Sequence, residues 1–162
     1  MPSTLNISKA ELAGSFSYGT EDGFTLAVRE LYSVDLDGDQ IDEVLFAGFE
    51  TQYNTPELFT NSQIAIFGWR DGVFQNLTEI WLAKDANKVE GVGDVALGDF
   101  NADGRIDIYL SAYADMDYSL NAYVLMNEGD HLALVPLGES TEEHGVASGD
   151  LNNDGYDDII PT

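Results

Sequence analysis

The stretch that decides the fold is DFNADGRIDIYL, residues 99–110, because two near-copies of it occur in the same chain. DLDGDQIDEVLF spans residues 35–46, and DLNNDGYDDII spans residues 150–160. In each copy, acidic or amide side chains occupy alternate positions and then give way to an apolar run. Carboxylates packed this closely repel one another, so each copy predicts a bound positive charge.

The similarity between the copies extends beyond the acidic stretches on both sides. Upstream, VALGDFNADG at residues 95–104 matches VASGDLNNDG at 146–155, and LYSVDLDGDQ at 31–40 is a looser version. Downstream, SQIAIFGWRDGVFQNL at 62–77 and LNAYVLMNEGDHLALV at 120–135 each read as two apolar strands around a tight turn. The chain is therefore an internal repeat whose unit holds four short strands.

Four short antiparallel strands per repeat is the plan of a β-propeller blade. In the second unit we expect these strands at about residues 93–99, 106–113, 122–127 and 131–137. Helix signals are poor throughout, so the predicted fold class is all-β, with about two complete four-stranded blades and the start of a third. The predicted boundaries are an N-terminal segment at 1–23, blade 1 at 24–83, blade 2 at 84–139 and the first strands of blade 3 at 140–162.

A propeller that holds only these blades cannot bury their outer faces, since such rings typically close with about four to eight blades. Two explanations stay open at this point. The remaining blades belong to a longer chain, which the abrupt stop inside an apolar strand favours, or several copies of this chain assemble into one closed ring.

The composition restricts the partners of this protein. Its 162 residues include 30 acidic and 6 basic ones, for a formal charge of −24. Nucleic acid and anionic membrane surfaces are therefore excluded as partners, and cations are favoured. The longest apolar runs are strand-length, so we expect no membrane insertion. There is no cysteine, and the first thirty residues show no secretory signal peptide.

The acidic stretches predict cation sites when positions are counted from the first aspartate. Positions 1, 3, 5 and 9 hold Asp99, Asn101, Asp103 and Asp107 in the second copy, and Asp150, Asn152, Asp154 and Asp158 in the third. Calcium prefers about six to eight such oxygen ligands. Gly104 and Gly155, at position 6, permit a sharp turn, and the position-7 carbonyl of Arg105 or Tyr156 is a further candidate ligand.

Two other interpretations of these stretches are weaker. An EF-hand needs a glutamate at position 12 between two helices, but here that position holds Phe46, Leu110 and Pro161. A single run of Asp, Asn and Gly is also an ordinary polar turn. Three copies with matched position-9 carboxylates favour metal binding over this simpler alternative.

At these residues the chain resembles the FG-GAP (VCBS-type) repeats that build the propellers of integrin alpha subunits and of many bacterial extracellular proteins. The segments ALGDFN and ASGDLN resemble the Gly-Asp-Phe/Leu-Asn lead-in of that family, and the resemblance covers about residues 24–162. It implies calcium ligands from the side chains at positions 1, 3, 5 and 9 and from the carbonyl at position 7. In the first copy these are Asp35, Asp37, Asp39 and Glu43, with the carbonyl of Ile41. That copy departs from the pattern because its position 6 is Gln40 instead of glycine.

The resemblance implies an extracellular or cell-surface module that binds up to three calcium ions and serves adhesion or scaffolding. Calcium is expected to stabilise the fold and not to act in catalysis, because the ligand sets leave little room for a substrate. The loop aromatics Tyr53, Phe59, Tyr113 and Tyr118 are expected to pack between adjacent blades, and contact with a carbohydrate or protein partner is the alternative. Two alternatives remain: the non-catalytic part of a polysaccharide-acting enzyme, or a calcium-dependent subunit of a surface filament or layer.

No catalytic motif was found, and we expect the chain not to be an enzyme. There is no Gly-x-Ser-x-Gly elbow, no phosphate-binding loop and no His-Glu-x-x-His. His131 and His144 are predicted to be surface or structural residues. Asp42 and Asp157, at position 8, are predicted to point away from the ion into solvent.

Overall fold

The computed structural model describes residues 25–51, 62–83, 88–89, 92–112, 120–140, 143 and 145–162. The predicted N-terminal segment 1–23, His144 and the loop aromatics Tyr53, Phe59, Tyr113 and Tyr118 lie outside the described residues. The predicted blade boundary at residue 84 also lies outside the described residues.

The first unit is an antiparallel sheet in which four strands follow one another in chain order. Its strands are β1 (Thr25–Val34), β2 (Glu43–Thr51), β3 (Ser62–Arg70) and β4 (Val73–Asn76). A short strand, β5 (Lys88–Val89), also pairs with β3 beyond the end of β4. Between β4 and β5 lies α1 (Thr78–Trp81), a single helical turn.

The second unit repeats this order, and the third unit contains its first two strands. The second sheet is β6 (Val92–Gly98), β7 (Asp107–Ala112), β8 (Leu120–Asn127) and β9 (Leu132–Ser140). The third is the antiparallel pair β10 (Val146–Gly149) and β11 (Asp158–Pro161). The prediction of an all-β chain with two four-stranded blades and the start of a third is thus confirmed.

The turns follow the sequence signals, whereas α1 and the short strand β5 were not predicted from the sequence. Asp71 and Gly72 connect β3 to β4 with φ angles of 54° and 76°, as a two-residue hairpin turn requires. The α1 turn is held by the neighbouring strand and not by helix propensity. The N–H of Ile66 donates to Oγ1 of Thr78 at 2.9 Å, and the N–H of Leu77 donates to the carbonyl of Ile66 at 2.8 Å.

The core lies between consecutive sheets, so the second sheet is covered on both faces. All six residues of β7 are buried. Because side chains alternate along a strand, Ile108 and Leu110 join the apolar cluster shared with the first sheet, whereas Tyr109 joins the cluster that contacts Val146 and Ile159 of the third. The first strand of the second unit, β6, packs against both β1 and β10. This is the arrangement of successive propeller blades around a common axis.

Candidate metal-binding loops

The three acidic stretches form loops with the same boundaries relative to their strands. We call them loop 1 (residues 35–42), loop 2 (99–106) and loop 3 (150–157). Each joins the first strand of a unit to the second, and its flanking pairs are Val34 with Glu43, Gly98 with Asp107, and Gly149 with Asp158. Position 9 is therefore the first residue of the second strand in every unit.

The carboxylates at positions 1 and 5 fold each loop back on itself. The N–H at position 6 donates to the position-1 carboxylate at 2.9, 2.7 and 3.0 Å in loops 1, 2 and 3. The N–H at position 7 donates to the position-5 carboxylate at 2.7, 2.9 and 3.0 Å. These bonds give the three loops the same backbone turn. They also show that the N–H groups of Ile41, Arg105 and Tyr156 are engaged inside the loops.

Two positions of each loop have left-handed backbone. Position 6 has φ of 71° at Gln40, 84° at Gly104 and 92° at Gly155, which confirms the reason for glycine there. Sequence reasoning missed position 4, where φ is 78° at Gly38, 59° at Ala102 and 60° at Asn153. The available signal was that position 4 holds Gly and Asn, the residues that tolerate this conformation, in two of the three loops.

Loop 1 presents the most compact set of carboxylates in the described part of the chain. One carboxylate oxygen from each of Asp35, Asp37 and Asp39 lies within 4.8 Å of the other two. Calcium holds its oxygens at about 2.3–2.6 Å, so two ligands on opposite sides of the ion are up to about 5 Å apart. The three oxygens therefore lie within the separation that ligands of one calcium ion can span.

The position-9 carboxylates close the loops from the strand side; those of Glu43 and Asp107 are buried, whereas Asp158 is half-buried. Each accepts the N–H of position 2, at 3.0 Å for Glu43 and Asp107 and at 3.1 Å for Asp158. Glu43 and Asp107 are 4% and 0% exposed. Burial raises the pKa of both, and the N–H bonds offset this only in part. Loops 1 and 2 thus each carry a poorly solvated negative charge beside their exposed acids, and a cation in the loop would stabilise it.

Loop 2 differs from loop 1 through the side chain of Arg105. Its guanidinium donates from Nη2 to Oδ2 of Asp103 at 2.5 Å and from Nε to the carbonyl of Asn127 at 2.8 Å. The amide of Asn101 donates to the same Asp103 oxygen at 2.8 Å. The sequence pattern had indicated only the backbone carbonyl of Arg105, as a candidate calcium ligand. Loop 2 therefore has a positive charge of its own beside Asp103.

The position-8 aspartates differ, and the prediction that both point into solvent is wrong for Asp157. Asp42 is exposed and accepts a hydrogen bond from Ser33. Asp157 is half-buried because loop 3 lies against loop 2: its Oδ2 accepts the N–H of Asp99 at 2.8 Å.

His131 is exposed, as expected, and its Nδ1 lies 2.7 Å from Oδ1 of Asp130.

The loops are also connected between the first and second units. The side-chain amide of Asn127, at the end of β8, donates to the carbonyl of Leu36 in loop 1 at 2.8 Å. Its backbone N–H donates to Oδ1 of Asp107 at 2.8 Å. Loops 1, 2 and 3 therefore lie side by side along one edge of the sheets. Loops 2 and 3 are in direct contact, and Asn127 connects loop 1 to the second unit.

Comparison with known proteins agrees with this geometry. The family model described as FG-GAP-like repeat matches residues 35–110 and 99–160. Each match begins at a position-1 aspartate and ends in the second strand of the next unit, so it covers two successive loops. Comparison with curated proteins gives no match. No helix among the described residues has the length and hydropathy needed to cross a bilayer.

Proposed function

The chain belongs to the FG-GAP-like repeat family, and from that premise we propose that it is a calcium-binding β-propeller module of an extracellular protein. Repeats of this family are generally non-catalytic structural modules and are typically extracellular. The module serves binding or scaffolding, as in adhesion proteins, and calcium stabilises its fold without taking part in a reaction. Up to three ions bind, one in each loop.

The observation that carries this proposal is the convergence of Asp35, Asp37 and Asp39 in loop 1, with oxygens within 4.8 Å of one another. Hard oxygen donors at this spacing suit calcium better than softer transition metals. Loops 2 and 3 repeat the same backbone turn, with an asparagine at position 3 in place of an aspartate.

The stabilising role follows from the charges and from the position of the loops. An acidic excess that gives a net charge of −24 opposes a compact state, and the chain has no cysteine with which to cross-link its strands. An ion held by one loop neutralises its carboxylates and fixes the connection between two paired strands. Because adjacent loops are connected directly or through Asn127, an ion in one loop also supports the contact between neighbouring units.

Thermal unfolding during a calcium titration tests the proposal. We expect the melting temperature to rise with calcium by the mass-action law, by about 2.7 kcal/mol in stability at a hundredfold excess over Kd. The variant Asp35→Asn/Asp39→Asn should lose part of this rise. The matched control is Asp42→Asn, which removes one charge from the same loop outside the converging set and should keep the full response.

Titration calorimetry should resolve the number of ions, and the double variant should bind one ion fewer. A melting temperature that does not respond to calcium would overturn the proposal and leave the three loops as acidic turns. Light scattering recorded in the same titration reports assembly: growth with calcium would favour a filament or ring subunit over a module that acts as a single copy.

A further inference from the structure

A cleft of about 420 Å³ lies beside loop 1, between the first and second units. Part of its lining, which we call the apolar wall, consists of Leu77 together with Ile80 and Trp81 of α1. The tip of the β3–β4 hairpin supplies Trp69 and Asp71, and the β8–β9 turn supplies Asp130 from the other side. None of the comparisons assigns a role to this cleft.

Trp69 is the aromatic group that a ligand in the cleft would meet. It is 43% exposed, although its ring packs edge-to-face against Phe74 with centroids 5.8 Å apart. Ile80, on α1, is 45% exposed, whereas Trp81 is only 5% exposed and anchors α1 in the core. Exposed apolar side chains held in place around a concavity are typical of a binding surface.

The charge around this apolar wall is strongly negative. Five carboxylates line the cleft, those of Asp37, Asp39, Glu43, Asp71 and Asp130, against one basic side chain, Arg70. A calcium ion in loop 1 would neutralise part of this set, but Asp71 and Asp130 belong to turns outside the loop. The cleft therefore stays acidic with or without calcium.

We propose that this cleft binds the side chain of an arginine or lysine from a basic segment of a partner protein. A tryptophan face attracts a guanidinium or ammonium group, and flanking carboxylates pair with the same group. The apolar wall covers the methylene stem of the side chain. The net charge of −24 also steers basic segments toward the surface. This proposal goes beyond calcium binding, since its charged anchors Asp71 and Asp130 are not predicted calcium ligands.

Tryptophan fluorescence gives a direct readout, because the chain contains two tryptophans and both line the cleft. Capped Gly-Arg-Gly and Gly-Lys-Gly peptides should produce a saturable change in emission. The matched ligand is Gly-citrulline-Gly, whose urea group has nearly the shape of the guanidinium but no charge, and it should produce no saturable change. The titrations are run both in calcium and in chelator.

Variants of the cleft distinguish recognition of the peptide by the lining carboxylates from attraction by the overall negative charge of the protein. Asp71→Asn/Asp130→Asn should weaken arginine-peptide binding by about tenfold, as the loss of two charged partners implies. Asparagine keeps the left-handed backbone at residue 71, so folding should be unaffected. The control is Glu79→Gln on α1, which removes an exposed charge next to the cleft but outside its lining. Trp69→Leu, followed by calorimetry, should weaken binding as well.

Two results would overturn the proposal. Equal binding of the citrulline peptide would show that charge is not recognised, and equal weakening by Glu79→Gln would show that only the overall field attracts the peptide. The titration in chelator is independent of calcium, so failure of the calcium proposal and failure of this one give different results.

Discussion

Asp157 and Asp99 are joined by two hydrogen bonds that connect the third unit to the second. The N–H of Asp99 donates to Oδ2 of Asp157 at 2.8 Å, and the N–H of Asp157 donates to the carbonyl of Asp99 at 3.0 Å. Asp99 is position 1 of loop 2, and Asp157 is position 8 of loop 3. A residue that lies between the last two predicted ligands of one loop thus positions the first predicted ligand of its neighbour.

Asp157→Ala should destabilise the protein, because the N–H of Asp99 loses its acceptor in a partly buried contact. The expected loss is about 1–3 kcal/mol in the free energy of unfolding, measured by denaturant titration. Asp42→Ala, at the same position of loop 1, removes an exposed carboxylate and should cost about 0.5 kcal/mol or less. Equal effects of the two variants would contradict the role given to Asp157.

Gly98→Ala should disturb the same contact by steric means. A Cβ atom at residue 98 would lie 2.8 Å from Cε1 of Phe100 and 2.9 Å from Oδ2 of Asp157. The expected cost is about 1–3 kcal/mol, as for other overpacked sites. In the Asp157→Ala background the cost should be smaller, since the carboxylate oxygen is absent and only the contact with the Cβ of residue 157, at 3.0 Å, remains beside Phe100. A double-mutant cycle of unfolding free energies measures this difference, and strict additivity would count against it.

Glycine should be favoured at both left-handed positions of loop 2, so adding it at one and removing it at the other should change stability in opposite directions. Ala102→Gly relieves a residue at φ 59°, and we expect a gain of about 0.5–1 kcal/mol. Gly104→Ala places a side chain at φ 84°, and we expect a loss of about 1 kcal/mol. Melting temperatures of both variants, recorded in chelator, check the signs. A stabilised Gly104→Ala variant would be inconsistent with the turn described for the loop.

The substitution Asn127→Asp should destabilise the protein more than Asn127→Ala does. Its amide is 1% exposed and donates to the carbonyls of Leu36 at 2.8 Å and Ile106 at 3.3 Å. Asn127→Asp keeps the shape but directs a negative charge at these acceptors, with an expected cost of about 3–5 kcal/mol at neutral pH. Asn127→Ala leaves the carbonyls unpaired and should cost about 1–3 kcal/mol. Denaturant unfolding ranks the two variants, and the reverse order would exclude the bonding described here.

Stability in chelator should increase as the pH falls. Burial raises the pKa of Glu43 and Asp107 in the folded state, so the folded protein takes up protons before the unfolded chain does. Their contribution to stability is therefore gained as the pH falls through the folded pKa and is complete below the unfolded one. Melting temperatures from about pH 7 to about pH 5 check the slope. With calcium bound the slope should weaken or reverse, because the ion needs ionised carboxylates.

Asp107→Asn provides the control for this pH dependence. The substitution removes one of the two buried titrating groups, so the rise in melting temperature on acidification should become smaller. An unchanged slope would assign the effect to relief of the general repulsion among the surface carboxylates.

Much of the fold could be predicted from local patterns in this chain. The period-two apolar runs, the Asp71 and Gly72 turn and the repeated acidic stretches each depend on residues near in sequence. The bounds of β6 to β9 therefore agree with the predicted strands to within a few residues. The left-handed conformation of position 6 was predictable for the same reason, since glycine marks it in two loops.

What the sequence by itself determined is the repeat, the strand order within each unit and the positions of the carboxylates in each loop. Only the tertiary structure decided that Asp157 binds Asp99, that Asn127 binds the carbonyl of Leu36, and that Trp69 and Asp130 line one cleft. The physical reason is the sequence distance over which each kind of interaction acts. Alternation and turn chemistry act over a few residues, whereas these contacts depend on the distance and angle at which one sheet packs on the next. That packing is fixed by the buried side chains of both sheets together and leaves no local pattern in the sequence.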